Sequence, residues 1–257
     1  MKKLRPEEYH RAGQFISGTD CGGVYASSIA ELTQPGEVFI CGNSVLFRHY
    51  CGFALVYGDC DERFLGEIYD TFLSGKNAPA RRFILFGNER VKAYFSGKSG
   101  VSTGRRFFFV YPADRTVPES ALPEGYGVHR ITPDIIGGIN GSITPSFSWD
   151  STDAFLKKSA GYCVLSGDRP AAWAFGAAVS AGEIDIGVET CPDFRGRGLA
   201  SAAAAAMVRF TLSSGKRPVW ACSSENTASR ALALKLGFEQ CGECFTIRRD
   251  TQGNKNQ

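Results

Sequence analysis

Residues 183–210, EIDIGVETCPDFRGRGLASAAAAAMVRF, leave this chain few folds to choose from. The stretch reads as a β-strand over 183–190, a basic glycine-rich turn over 194–200, and an alanine-rich helix from Gly198 to about Ser213. A strand that turns through glycines into a helix start is an anion-binding device. The first N–H groups of the helix have no partner within it, and the aligned peptide dipoles add roughly half a positive charge there. Gly196 and Gly198 carry no Cβ to keep a phosphate away from the backbone, and Arg195 and Arg197 add full charges. The element predicts a phosphate-bearing small molecule as ligand.

At 257 residues the chain is long enough for two domains of ordinary size. Hydrophobic content of 43% and charged content of 21% suit a globular α/β protein. A net charge of +3 is too weak to imply nucleic acid. No apolar run reaches the roughly 18–20 residues of a membrane span, and the basic N-terminus lacks the apolar core of a signal peptide. We therefore expect a cytoplasmic protein with no membrane partner and with its nine cysteines reduced. Cys241 and Cys244 form a CxxC, yet the three histidines His10, His49 and His129 are scattered and supply no second ligand pair, so no metal is expected.

Strands are predicted at 37–41, 44–49, 53–57, 82–86 and 105–111, with helices at 61–73, capped by Asp61, and 89–95. This first half shows no phosphate turn: Gly97-Lys98-Ser99 resembles the end of a P-loop, but Lys92 stands where the first glycine is required. The proline-rich stretch 112–125 reads as a linker. That places an N-terminal α/β domain at 1–120, a second domain at 121–250, and a polar, disordered tail at 251–257. In the second half, strands at 126–131, 162–166, 171–180, 183–190, 219–223 and 243–248 are interleaved with helices at 133–140, 152–159, 198–213 and 227–236. The order is β-α-α-β-β-β-α-β-α-β. A dinucleotide fold would need its glycine turn after the first strand and an acid about 20 residues on. Here the turn comes late, behind an antiparallel run, which argues against a nucleotide-dependent oxidoreductase.

Two further motifs sit at telling distances from the turn. Arg195-Gly196-Arg197-Gly198-Leu199-Ala200 fits the pyrophosphate loop Q/R-x-x-G-x-G/A, and Asn226 followed by Lys235-Leu236-Gly237-Phe238 fits the Asn and K-L-G-F beyond it. Over about residues 125–248 the chain resembles the GNAT superfamily of acyl-CoA-dependent N-acetyltransferases. Thr190, FRGRGLA, PVW and N-x-x-S-x-x-L-A are closest to the branch that includes the zwittermicin-resistance acetyltransferase, whose N-terminal region is often GNAT-like without the CoA loop.

The resemblance implies acetyl-CoA as cosubstrate and transfer of its acetyl group to a primary amine of a small molecule or peptide. Backbone groups near Val188 would hold the pantetheine arm, and the N–H groups of Arg195, Gly196, Arg197, Gly198, Leu199 and Ala200 the pyrophosphate. Asn226 and Ser229 would face the pantetheine or thiol. A carboxylate base is expected on the 183–190 strand, where Glu183 and Asp185 share a face. The acid Tyr usual four residues before the K-L-G-F glycine is Ala233 here. That substitution keeps open an alternative: a catalytically idle, acyl-CoA-binding regulatory protein. For the acceptor, Phe147 and Trp149 in the 142–149 loop suggest an exposed aromatic wall, and Glu183, Asp185 and Glu189 suggest affinity for a cationic amine. Monomer and homodimer both remain open.

Overall fold

The computed structural model describes residues 1–16, 22–75 and 82–250; the tail expected at 251–257 lies outside the described residues. The chain divides into two compact units, Met1–Phe107 together with the C-terminal residues from Gly242, and Phe108–Cys241. The first division falls ahead of the proline-rich stretch. The boundary expected near residue 120 thus lies inside the second unit, and the last strand of the chain belongs with the first.

The first unit runs β1 (Lys2–Lys3), α1 (Tyr9–Gly13), α2 (Val24–Ala30), β2 (Gly36–Cys41), β3 (Ser44–His49), β4 (Phe53–Gly58), α3 (Glu62–Ile68), β5 (Ile84–Gly87), α4 (Glu89–Phe95) and β6 (Val101–Val110). Strands β1 to β4 pair antiparallel in sequence order. β4 and β5 then pair parallel through Phe53↔Ile84, Ala54↔Leu85 and Leu55↔Phe86. The Asp61 side chain accepts the Phe64 N–H at 2.8 Å, so the expected cap starts α3. The helix expected to Leu73 is α-helical to Ile68 and continues as a π turn over Tyr69–Leu73. Phe64, Leu65, Ile68, Leu85, Phe95 and Ile247 build one buried cluster.

The second unit follows the same strand order with one more helix after its first strand: β7 (Tyr126–Arg130), α5 (Pro133–Ile136), α6 (Pro145–Ser148), α7 (Thr152–Lys158), β8 (Gly161–Ser166), β9 (Arg169–Val179), β10 (Glu183–Thr190), α8 (Leu199–Ser213), β11 (Arg217–Ser223) and α9 (Thr227–Leu236). β12 (Glu239–Arg249) follows and from Gly242 onward lies in the first unit. β7 to β10 pair antiparallel in sequence order, and β10 pairs parallel with β11. The helix expected at 133–140 stops at Ile136, because Gly137 and Gly138 follow. Pro133 and Pro145 open α5 and α6, where a missing N–H costs nothing. α8 carries Ala203, Ala204 and Ala205 at 0% exposure, and these small side chains let it lie against a β9 that is buried from Ala171 to Val179. Gly237 (φ +103°) ends α9, and the Phe238 N–H closes back on the Ala233 carbonyl at 3.0 Å.

Candidate functional site

β10 and β11 share only three rungs, Glu183↔Arg217, Ile184↔Pro218 and Asp185↔Val219, although they run on to Thr190 and Ser223. The pairing stops where β9 carries an extra residue: Asp185 faces Ala178 and Ile186 faces Gly176, so the register steps past Ala177. A two-against-one bulge bends the strands locally and raises their twist. Beyond it β10 keeps its partners on β9 and loses those on β11, which leaves a V with the backbone of Ile186–Thr190 along one wall.

The open end of that V leads into the glycine turn. A single 3-10 turn, Pro192–Phe194, is followed by Gly196 (φ +76°) and Gly198 (φ +77°), both in the left-handed region that favours glycine. No side chain caps α8. A Cβ added at Gly196 or Gly198 would meet nothing within 4 Å, so open space lies over the turn. Arg197 braces the turn: its Nη1 donates to the Tyr126 hydroxyl at 2.6 Å, its Nη2 to the Asp193 carbonyl at 3.3 Å, and its guanidinium lies 5.6 Å from the Phe194 ring centre. The Arg195 backbone N–H donates to the Pro192 carbonyl at 3.3 Å, while its exposed side chain has no partner among the described residues and is the cation left to meet a ligand. Uncapped N–H groups, free space and one available arginine together fit a pyrophosphate.

The other expected residues divide. Val188 lies on the part of β10 that has parted from β11, opposite Ala174 of β9. Asn226 is the N-cap of α9; its Oδ1 accepts the Ser229 N–H at 3.0 Å, which leaves its amide N–H2 to donate. Ser229 Oγ accepts the Trp220 indole N–H at 3.0 Å. Ala233, one turn further along α9, is fully buried. Glu183 and Asp185 part company: the Arg217 guanidinium takes the Glu183 carboxylate, with Nε to Oε1 at 2.9 Å, at the closed end of the V. Asp185 sits on the last rung before the strands separate and is 5% exposed.

Trp149 is not the exposed wall that was expected. It is 1% exposed, packs 6.0 Å from the Phe155 ring, and donates its indole N–H to the Gly176 carbonyl at 2.8 Å. An indole has one donor and a large apolar surface, so burial with that donor satisfied is its stable setting. Phe147 is half-buried on α6. Tyr126, which braces the glycine turn, escaped the sequence reading because its contact with Arg197 spans 71 residues of chain.

The signature of the GNAT acetyltransferase family matches residues 23–246, across both units. The chain belongs to the GNAT acetyltransferase family. It is 26% identical to the uncharacterized N-acetyltransferase YdfB of Bacillus subtilis (strain 168), over 96% of this chain and 97% of that protein. In fold it is similar to the GCN5-related N-acetyltransferase-like protein from Streptococcus suis 89/1591, with a TM-score of 0.74 and 20% identity over 95% of this chain and 99% of that one. A tandem GNAT protein from the clavulanic acid biosynthesis pathway aligns with a TM-score of 0.54 and 12% identity, over 96% of this chain and 93% of its own. Among the described residues no helix is long and apolar enough to cross a membrane, and no group of three His, Cys, Asp or Glu could hold a metal ion.

Proposed function

We propose that the second unit transfers an acetyl group from acetyl-CoA to a primary amine of a small molecule or peptide, by direct attack on the thioester through a tetrahedral intermediate. The observation that carries this reading is the parting of β10 from β11 at Asp185, continued into an uncapped glycine turn. The N–H groups of residues 196–200 and the Arg195 side chain hold the pyrophosphate. Backbone groups around Val188 pair with the pantetheine arm and thioester, and the Asn226 amide donates to the same arm. Asp185, at the apex of the V, accepts the amine proton directly or through a water, since only the neutral amine is nucleophilic. The coenzyme A thiolate is a good leaving group and departs without a tyrosine. The Ser229 hydroxyl, one helical turn before Ala233, accepts the Trp220 indole N–H and is a candidate to protonate that thiolate.

Ala233, buried at the tyrosine position, favours a second reading: an acyl-CoA-binding protein without turnover. Acetyl-CoA offered with a panel of amines separates the two. Transfer to at least one amine, with kcat lowered roughly 100-fold or more in Asp185→Asn, is the expected result. Tight CoA binding with no transfer to any amine would favour the idle form, and full turnover in Asp185→Asn would remove Asp185 from the mechanism.

A further inference from the structure

Glu189 and Trp173 are direct cross-strand partners on β10 and β9, on the stretch between the bulge and the glycine turn. They take hold of the same residue. The Glu189 carboxylate accepts the Ile143 N–H at 2.6 Å, and the Trp173 indole N–H donates to the Ile143 carbonyl at 2.7 Å. Both peptide groups of one loop residue are thereby bound to strand side chains. Gly141 rests on the same carboxylate: a Cβ there would fall 2.7 Å from Glu189 Cδ and 2.9 Å from Oε1, so any other residue would push the carboxylate off Ile143. Further on, Trp149 fastens the far end of the segment to Gly176, beside the bulge.

We propose that Glu189 and Trp173 are positioning residues that pin the 141–144 segment against β10 as the fixed wall of the acceptor site. The proposal rests on the transfer reading above, because it takes β10 beyond the bulge as the place where the amine meets the thioester. It also reassigns Glu189. A carboxylate already accepting a backbone N–H at the edge of the site serves geometry, whereas the sequence suggested attraction for a cationic amine. A wall fixed by two hydrogen bonds selects acceptors by shape and keeps water from the thioester.

The test compares Glu189→Ala, Glu189→Gln and Gly141→Ala with the parent protein by amide hydrogen exchange, CoA titration, and release of CoA from acetyl-CoA in amine-free buffer. In Glu189→Ala and Gly141→Ala, exchange in 141–144 speeds up about tenfold, as loss of a charge-assisted hydrogen bond implies. CoA affinity stays within about twofold, because the pyrophosphate turn is untouched. Hydrolysis of acetyl-CoA rises in step with the exchange. Glu189→Gln, whose amide oxygen still accepts from Ile143, stays close to the parent in all three readouts. Unchanged exchange in Glu189→Ala would overturn the pin. Equal loss in Glu189→Gln and Glu189→Ala would show that the charge, not the position, is what matters. A parent protein that binds no CoA but shows the same exchange pattern would sink the transfer reading and leave the pin standing.

Discussion

α3 and α8 begin at the same place in two copies of one topology, each after the fourth strand of its unit and before the strand that pairs with it in parallel. α3 is closed to an anion. Asp61 caps it, Glu62 occupies its first turn, and Asp59 lies just upstream, held by Asn43 at 3.2 Å. Gly58 (φ +86°) precedes that turn, but a Cβ there would strike the Asn43 carbonyl, so this glycine serves backbone packing. α8 is open. It has no capping side chain, two left-handed glycines under free space, and arginines where the first unit has acids. A helix start offers unpaired N–H groups and positive potential in either case. What differs is whether the chain spends them on its own carboxylate or leaves them for a ligand. The first unit gains helix stability from that choice, and in the proposed reading the second keeps its N–H groups for the cosubstrate.

The largest effect expected from this contrast is on binding. Gly198→Val forces a β-branched residue to φ +77° and sets a side chain over the turn. It should weaken CoA by about 1.5–3 kcal/mol, roughly ten- to a hundredfold, measured by titration of the folded protein. Asp61→Ala should do the reverse: stability falls by about 1 kcal/mol in denaturant unfolding while CoA affinity holds. CoA affinity that survives Gly198→Val would make the second turn as inert as the first.

A second effect concerns pH and sharpens the contrast from the side of stability. In the first unit His49 is 1% exposed, its Nδ1 accepts the Cys51 N–H at 3.2 Å, and burial pushes its pKa down to about 3. In the unfolded chain the imidazole titrates near 6.5. The folded state therefore binds fewer protons, and its stability is full above pH 6.5 and falls as pH drops from 6.5 toward 3. The loss is about 2 kcal/mol at pH 5. His129 of the second unit is exposed. Amide exchange between pH 7 and 5 should loosen β2 and β3 in preference to β8 and β9, and His49→Leu should flatten the slope. Equal acid sensitivity in both units would contradict the assignment.

Much of the second unit could be read in advance because its signals are local. A left-handed glycine, a cap residue and an alanine run each act within a few positions, so the strand at 183–190 and the helices at 198–213 and 227–236 stand where the sequence puts them. The first unit has the same order of strands, yet only the family resemblance pointed to a GNAT-like first half, because Gly58-Asp59-Cys60-Asp61 shares no chemistry with Arg195-Gly196-Arg197-Gly198. Topology can persist where the ligand-binding residues do not. The Glu183–Arg217 pair, the burial of Trp149 and the grip of Glu189 on Ile143 are contacts across 27 to 46 residues of chain. Periodicity does not encode partners at that distance. The parting of β10 and β11 and the extra β9 residue beside it appear in the register alone.

The central claim is that one of two equivalent helix starts holds the cosubstrate. Amide hydrogen exchange with and without saturating CoA addresses it most directly, because both starts are read in one experiment. CoA should slow exchange at residues 195–201 and along β10 from Ile186 to Thr190, and leave residues 58–65 unchanged. Protection at 58–65, or none at 195–201 while CoA is demonstrably bound, would contradict the account.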